Sequence, residues 1–487
     1  MRKKSASTGL GEVLNAARRT LVPFGPSEDT EVRKLARSYL RRLDKLATAS
    51  KMADARQVRS RLHNIFSSPG AKLTAALLAY PKCENRSKSK GPPRRPKISL
   101  PELKVLARDV SMYHATGEPI RVTQIRKDGG GIRTVARFGR RSRGAQQLAL
   151  DTMRAMHGDS EVEYARKGRG REVFVEQVLN GINHRGVRHV AQTDVKDFFP
   201  SVNRAAVMSS RLLPRSVLRA HITMDGQGTI TTQPQISPIS DRAGLWQGAI
   251  ASSFVASKMI ESALPSLRKR LGLVYVDNIA IGERTAQEAD VRLDTLAQSL
   301  SEHPAGPFQL KYRDITRVGG DHNILGYRVT KDAPHFGGKA QAKPARAAIC
   351  KHERQLLFRL MFADFSTFET ETQKWAKAWP RRYSLWASRF DALHLAETAA
   401  MQHVWPVARR ARRHIKDARV VFKSFHELAV LGKMFKSFLQ PEPDWSAVEA
   451  DINKNGSTAR VSKTHRSPSE YPPSTYDKVI RRYMEAR

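Results

Sequence analysis

The chain has 487 residues, 85 Lys plus Arg against 46 Asp plus Glu, a formal charge of +39 and a pI near 10.7, a balance that calls for a polyanionic partner. An anionic membrane is the rival, but no apolar run reaches the roughly 18 residues of a spanning helix, and Arg2-Lys3-Lys4 is followed by small polar residues rather than the apolar core of a signal peptide. Only Cys83 and Cys350 occur, which excludes a disulfide framework or zinc cluster and fits a reducing cytoplasm.

In chain order, Val32, Leu35, Tyr39, Leu43 and Leu46 form one helical stripe, with Arg33, Lys34, Arg37, Arg41 and Lys45 mostly elsewhere. A second helix is predicted over Ala71 to Tyr80. The basic, proline-containing segment Cys83 to Lys97 then reads as a linker, so residues 1–97 are expected to be a helical extension. In the next segment, 98–187, Ile125-Arg126-Lys127 and Ile132-Arg133-Thr134-Val135 flank Gly129-Gly130-Gly131 and predict a basic hairpin. Lys127 and Arg133 are its candidate phosphate ligands, Arg133 through its planar fork. No Walker-type motif follows.

Residues 188–335 carry the chemistry. The apolar stretch Val187 to Ala191 leads into Thr193-Asp194-Val195-Lys196-Asp197-Phe198-Phe199. Tyr275-Val276-Asp277-Asn278 lies between the apolar runs Leu271 to Val276 and Ile279 to Gly282, a β-hairpin pattern whose turn carries a carboxylate. Between them, Gly244-Leu245-Trp246-Gln247-Gly248 precedes a helix through Ala256, Ile260 and Leu264, with Ser252 and Ser253 as expected N-caps. Ile324-Leu325-Gly326-Tyr327 follows.

From about residue 336 to 440 the pattern is helical and basic. Val404, Val407, Ala411, Ile415, Ala418 and Phe422 make one stripe of a predicted helix, and Arg409, Arg412, Arg413, Lys416 and Arg419 another, suited to a phosphate backbone. Residues 441–487, rich in Pro, Ser and charge, are expected to form a flexible tail.

These motifs, in this order over about residues 115–330, resemble the fingers and palm of reverse transcriptases, in particular the bacterial retron-like and antiviral-defence groups. Trp246 stands where the family's Leu-Pro-Gln-Gly element has Pro, Asn278 where its Tyr-x-Asp-Asp turn ends in Asp, and Ile324-Leu325-Gly326-Tyr327 is similar to its hydrophobic Phe-Leu-Gly strand that grips the primer. The resemblance implies an α+β right-hand polymerase fold: fingers, a palm with an antiparallel sheet, and a helical thumb. It implies RNA-templated DNA synthesis from deoxynucleoside triphosphates on a template-primer of RNA and DNA. It also places a phage-defence or retron-like role within reach, with a dedicated noncoding RNA, a second reverse transcriptase or self-association as further partners.

Two-metal phosphoryl transfer needs oxygen ligands bridging ions about 4 Å apart. Mg²⁺, or Mn²⁺ in its place, favours carboxylates plus substrate phosphates. Asp194 and Asp277 are therefore the expected side-chain ligands, with the Val195 carbonyl as the backbone ligand the family implies. The resemblance puts the Phe199 ring under the sugar of the incoming nucleotide, where it would clash with a 2′-hydroxyl and disfavour an RNA polymerase, and Gln247 near the nascent base pair. The plainer alternative is that Phe198 and Phe199 are core aromatics, although as successive strand residues they would face opposite sides, which leaves one of them for the core. A two-residue hairpin loop needs positive φ at its central positions, which Asp and Asn tolerate. Asn278 is thus expected to keep the turn while metal binding rests on the two aspartates. A palm retained as a nucleic-acid-binding scaffold or as partner subunit of another polymerase is the alternative.

Overall fold

A computed structural model of the chain describes residues 2–80, 97–126, 132–166, 168–225, 227–231, 244–264, 270–319, 322–331, 339–345, 347–348, 368–378 and 380–387. The fold is mixed α+β. The described residues fall into two compact units, one within Met1–Gly168, Ala191–Ile281 and Gln287–Ile315, the other within Arg169–Val190, Gly282–Ala286 and Thr316–Arg487. Among the described residues no helix is long and apolar enough to cross a membrane.

The first unit opens with helices α1 (Arg2–Thr20), α2 (Pro26–Lys51), α3 (Ala55–Phe66), α4 (Pro69–Ala79) and α5 (Leu100–Arg108). Their starts are written locally. The Asp54 carboxylate accepts from Gln57 N–H, Ser68 accepts from Ala71 N–H with Pro69 in the first turn, and Ser99 and Glu102 form a reciprocal capping box. On α2 the predicted stripe is the inward face, with Val32, Tyr39 and Leu46 buried. Helices α2 and α4 pack on α6 (Arg140–His157). There the Tyr39 hydroxyl donates to Asp151 at 2.7 Å and the Ser50 hydroxyl donates to the Met156 carbonyl at 2.7 Å.

Strands β1 (Ile120–Arg126) and β2 (Ile132–Arg137) are the predicted basic hairpin, paired antiparallel from Arg121↔Arg137 to Arg126↔Ile132. Strand β4 (Thr229–Thr231) adds in parallel to β1. A second sheet has the order β5 (Leu271–Tyr275), β6 (Asn278–Glu283), β3 (His189–Asp194), β7 (Asp314–Arg317). It packs into a core that includes Val274, Ile279, Ile281, Phe198, Phe308 and, from α12 (Ala286–Ser301), Leu293 and Leu296.

In the second unit, α7 (Gly170–His184) accompanies a three-stranded antiparallel sheet of β8 (His322–Ile324), β9 (Tyr327–Lys331) and β10 (Ala340–Pro344). The Arg171 guanidinium lies over both the Tyr327 and Tyr383 rings, 5.0 and 5.2 Å from their centroids. Glu172 accepts from Arg171 and from the Tyr327 hydroxyl. Tyr327 is thereby locked as a neutral phenol: burial first, then Glu172, pushes its hydroxyl far above the usual tyrosine range.

Three local expectations change. Ile324-Leu325-Gly326-Tyr327 is a hairpin corner between β8 and β9 rather than a strand, with Leu325 at φ 48° and Gly326 at φ 87°. Ser252 and Ser253 do not cap the next helix. That helix, α11 (Ser252–Ile260), starts after Ala251 without a side-chain cap, and the Ser252 hydroxyl donates instead to the Trp246 carbonyl at 2.8 Å. Phe198 and Phe199, read as successive strand residues facing opposite sides, instead share the short helix α8 (Phe198–Ser201); both are buried, with ring centroids 5.6 Å apart.

Candidate active site

Asp194 is the last residue of β3, and Asp277 sits in the two-residue connection between β5 and β6. Because β3 and β6 are neighbours, residues far apart in sequence meet at one end of the sheet's two central strands. The link is direct: Val195 N–H donates to the Asp277 carbonyl at 2.9 Å. On its other side Val195 bridges Leu310 antiparallel, with Lys311 N–H donating to the Asp194 carbonyl at 2.8 Å and Lys196 N–H to the Gln309 carbonyl at 2.8 Å. In that pattern the N–H and C=O of Val195 both point away from Leu310, toward the Asp277 turn.

Both aspartates also act on a neighbouring phenol. Burial raises the Tyr312 hydroxyl above the usual tyrosine range, and the carboxylates of Asp194, Asp314 and Asp277 raise it further. The Thr193 hydroxyl donates to the Tyr312 carbonyl at 2.6 Å, which fixes this segment against β3. Lys311 places its ammonium 3.6 Å from Asp194 Oδ2. Among the described residues no group of three or more His, Cys, Asp and Glu side chains is arranged to hold a metal. Two carboxylates and a main-chain carbonyl directed toward the same turn are oxygen donors of the kind Mg²⁺ takes, and they leave most of its coordination to other ligands.

The turn itself differs from expectation. The residue at positive φ is Val276, at 61°, and neither Asp277 nor Asn278 is among the positive-φ residues. Asn278 is the first residue of β6, and its side-chain amide donates to Asp277 Oδ1 at 2.9 Å. Asn278 is thus explained as a donor to the neighbouring carboxylate rather than as a tolerant turn residue. A β-branched side chain in the left-handed region costs on the order of 1–3 kcal/mol, so something must hold Val276 there.

Glu163, which sequence reasoning passed over, makes that contact. Val274 N–H donates to the Val162 carbonyl at 2.8 Å and Tyr164 N–H to the Val274 carbonyl at 2.7 Å, so this segment runs parallel beside the end of β5. The buried Glu163 carboxylate accepts from Ala165 N–H at 2.6 Å and from Val276 N–H at 3.3 Å. Burial pushes its carboxyl above the usual range, opposed by those amides, the Ser257 hydroxyl and the Tyr164 amide.

The Gly-Leu-Trp-Gln-Gly element clasps the two halves of the site. A Cβ on Gly244 would lie 2.3 Å from the Phe199 carbonyl oxygen, and Leu245 N–H donates to that same oxygen at 2.8 Å. At the other end Ala136 N–H of β2 donates to the Gln247 carbonyl at 2.7 Å, and a Cβ on Gly248, at φ 109°, would lie 2.3 Å from the Ala136 oxygen. Trp246 in the place of Pro is a core residue. It is buried with Ile120, Val122, Ala136, Phe138 and Met224, and its Nε1–H donates to the Thr223 carbonyl at 3.3 Å. Arg204 donates to the Gly244 carbonyl at 3.1 Å and to Asp225 at 3.0 Å, tying the element's start to α9 (Arg204–Ser209).

The structure thus brings together Asp194, Val195, Asp277 and Asn278. The Gly244–Gly248 element joins the Phe199 backbone to β2, the strand that carries exposed Arg133. Lys127 and the cations Arg409, Arg412, Arg413 and Lys416 lie outside the described residues. No protein-family profile matches the chain, and no curated protein matches it. Among solved structures, telomerase from Candida albicans, in complex with a TWJ fragment of telomeric RNA, aligns at 11% identity with a TM-score of 0.35. The match covers 66% of this chain and 65% of that one, and likeness at this level does not establish a common fold.

Proposed function

We propose that the chain is a DNA polymerase of the reverse-transcriptase type, with a right-hand arrangement in which the sheet carrying Asp194 and Asp277 is the palm and the β1–β2 hairpin belongs to the fingers. The observation that carries the reading is the pairing of β3 with β6, which brings those two aspartates to the same end of the sheet's central strands, joined by the Val195–Asp277 hydrogen bond. Asp194, Asp277 and the Val195 carbonyl would hold two Mg²⁺ or Mn²⁺ ions, which when bound activate a primer hydroxyl and neutralise charge on the departing pyrophosphate.

The chain's own residues supply the rest. Asn278 orients Asp277 through its amide, and Lys311 lies where a cation can meet a triphosphate oxygen beside Asp194. Arg133, exposed on β2, and Lys127 are the fingers cations for the same triphosphate. The Gly244–Gly248 clasp fixes the distance between that strand and Phe199, the residue proposed to select deoxynucleotides. Gln247 sits in the clasp beside the proposed nascent pair. Arg409, Arg412, Arg413 and Lys416 would track the duplex backbone. Template RNA, primer and deoxynucleoside triphosphates are the proposed ligands. A bacterial anti-phage or retron-like setting and a cytoplasmic location rest on the motif resemblance and composition alone.

The Asn278 contact also favours a second reading. An amide on Asp277 Oδ1 occupies part of a ligand's oxygen set, which suits a palm kept as a nucleic-acid-binding scaffold or as partner subunit of another polymerase. Purified protein incubated with Mg²⁺ and labelled deoxynucleotides, with and without template-primer, separates the two. The polymerase reading expects incorporation that Asp194→Ala and Asp277→Ala each abolish. Equal signal from wild type and Asp277→Ala would end it.

A further inference from the structure

Glu163 belongs to none of the motifs, yet it reaches the residue next to Asp277. The residue is 7% exposed, and no cation pairs with it among the described residues. A charge removed from water is costly unless it is met by donors, and Glu163 is met chiefly by main-chain N–H groups, with the Ser257 hydroxyl beside them. Oε1 takes Ala165 N–H, two residues on in the chain, and Val276 N–H from the turn between β5 and β6. The Val162–Val274–Tyr164 backbone pairing sets Glu163 at the end of β5. A group needed only to fill this space would be served by leucine, which has no desolvation cost.

We infer that Glu163 is a positioning residue of the site: by accepting the Val276 N–H it holds that residue in its left-handed conformation, and so sets where the following Asp277 carboxylate points. A relaxed Val276 would return toward negative φ and swing Asp277 away from Asp194, while the sheet beneath kept its register. The catalytic consequence rests on the polymerase reading; the hold on the turn does not.

Three variants and two readouts test this. Glu163→Leu keeps the volume and removes the acceptor, Glu163→Asp keeps the charge and draws the acceptor back from Val276, and Glu163→Gln keeps an oxygen at the turn. Hydrogen exchange of the peptide spanning the turn reads the hold directly. Glu163→Leu and Glu163→Asp should each speed exchange there about tenfold or more, with α12 unchanged, and Glu163→Gln should stay near wild type. In nucleotide incorporation the first two should lower kcat about tenfold while KM for the nucleotide moves less than about twofold, with Glu163→Gln restoring most of the rate. Unchanged exchange at the turn in Glu163→Asp overturns the inference, as does faster exchange with unchanged kcat. A wild type that incorporates nothing removes the polymerase reading instead, and exchange alone then decides whether Glu163 pins the turn.

Discussion

The Val195 N–H and the Asp277 carbonyl, 2.9 Å apart, are the backbone contact that sets Asp194 and Asp277 side by side. A slip of one residue between β3 and β6 would turn Asp194 to the opposite face of the sheet. The register is protected from both sides, since Lys311 N–H and Lys196 N–H hold the other edge of the same segment. Strand pairing therefore places Asp194 and the main chain of Asp277, while the turn between β5 and β6 sets the Asp277 side chain.

Asn278→Asp tests the local electrostatics. The change removes the amide that donates to Asp277 Oδ1 and sets a like charge beside it. Without divalent cation the variant should be less stable by about 1–2 kcal/mol. Mg²⁺ should raise its Tm more than that of wild type, because a second carboxylate is added next to the proposed ligands, and incorporation should survive. Thermal unfolding with and without Mg²⁺ reads this; an identical Mg²⁺ response in both proteins would reject it.

The hairpin at Tyr275 to Asn278 was legible because two apolar runs bracket it, and β3 because an apolar stretch ends in Asp194. Pattern alone placed the positive φ wrongly. Asp and Asn tolerate the left-handed region, but at Val276 a tertiary contact from Glu163 decides the conformation. Glu163 itself left only a faint trace, a lone carboxylate between Val162 and Tyr164, both buried. Its role depends on a pairing with Val274 more than a hundred residues away, which no local periodicity encodes. Trp246 shows the same limit: a departure from a family motif became intelligible only when its buried neighbours were seen.

Gly248→Ala should destabilise by about 2–4 kcal/mol, from left-handed strain plus a clash at 2.3 Å with the Ala136 oxygen. Gly158 supplies the control, since it has φ 63° and no atom within 4 Å of its added Cβ. There alanine should cost only the conformational part, about 1–3 kcal/mol, because φ 63° with ψ 173° is a region that essentially only glycine occupies. Urea unfolding of the two variants checks the difference. Equal losses would mean that the clasp yields freely.

His221 makes acid stability predictable. Burial depresses its pKa from 6.5 to about 4, although its Nε2 lies 3.0 Å from the Ser111 carbonyl. The folded state therefore keeps the imidazole neutral while the unfolded chain takes up a proton below its own pKa of about 6.5. Stability is full above that pH and falls on acidification toward pH 4, by up to roughly 1.4 kcal/mol per pH unit from this group. The stability difference between wild type and His221→Gln should shrink between pH 7 and 5 in urea titrations. A constant difference would show that His221 is not the titrating group.

Tyr39→Phe tests how α2 is fastened to α6. The Tyr39 hydroxyl, fully buried, donates to Asp151 Oδ2 at 2.7 Å, while Gln147 donates to Oδ1 at 2.9 Å. Burial, and after it the Asp151 charge, pushes the phenol well above its usual range, so it stays a donor at any working pH. Removing it withdraws one donor from a partly buried carboxylate and should cost about 1–3 kcal/mol. Because the two residues touch, the losses from Tyr39→Phe and Asp151→Asn should not add; a double-mutant cycle should return a coupling of about 1–2 kcal/mol. Zero coupling would mean that apolar packing of α2 and α4 on α6 holds the N-terminal helices without this bond. Coupling of the expected size would make the hydrogen bond part of what aligns α6, from which Gln146 Oε1 accepts the Ile250 N–H two residues beyond Gly248.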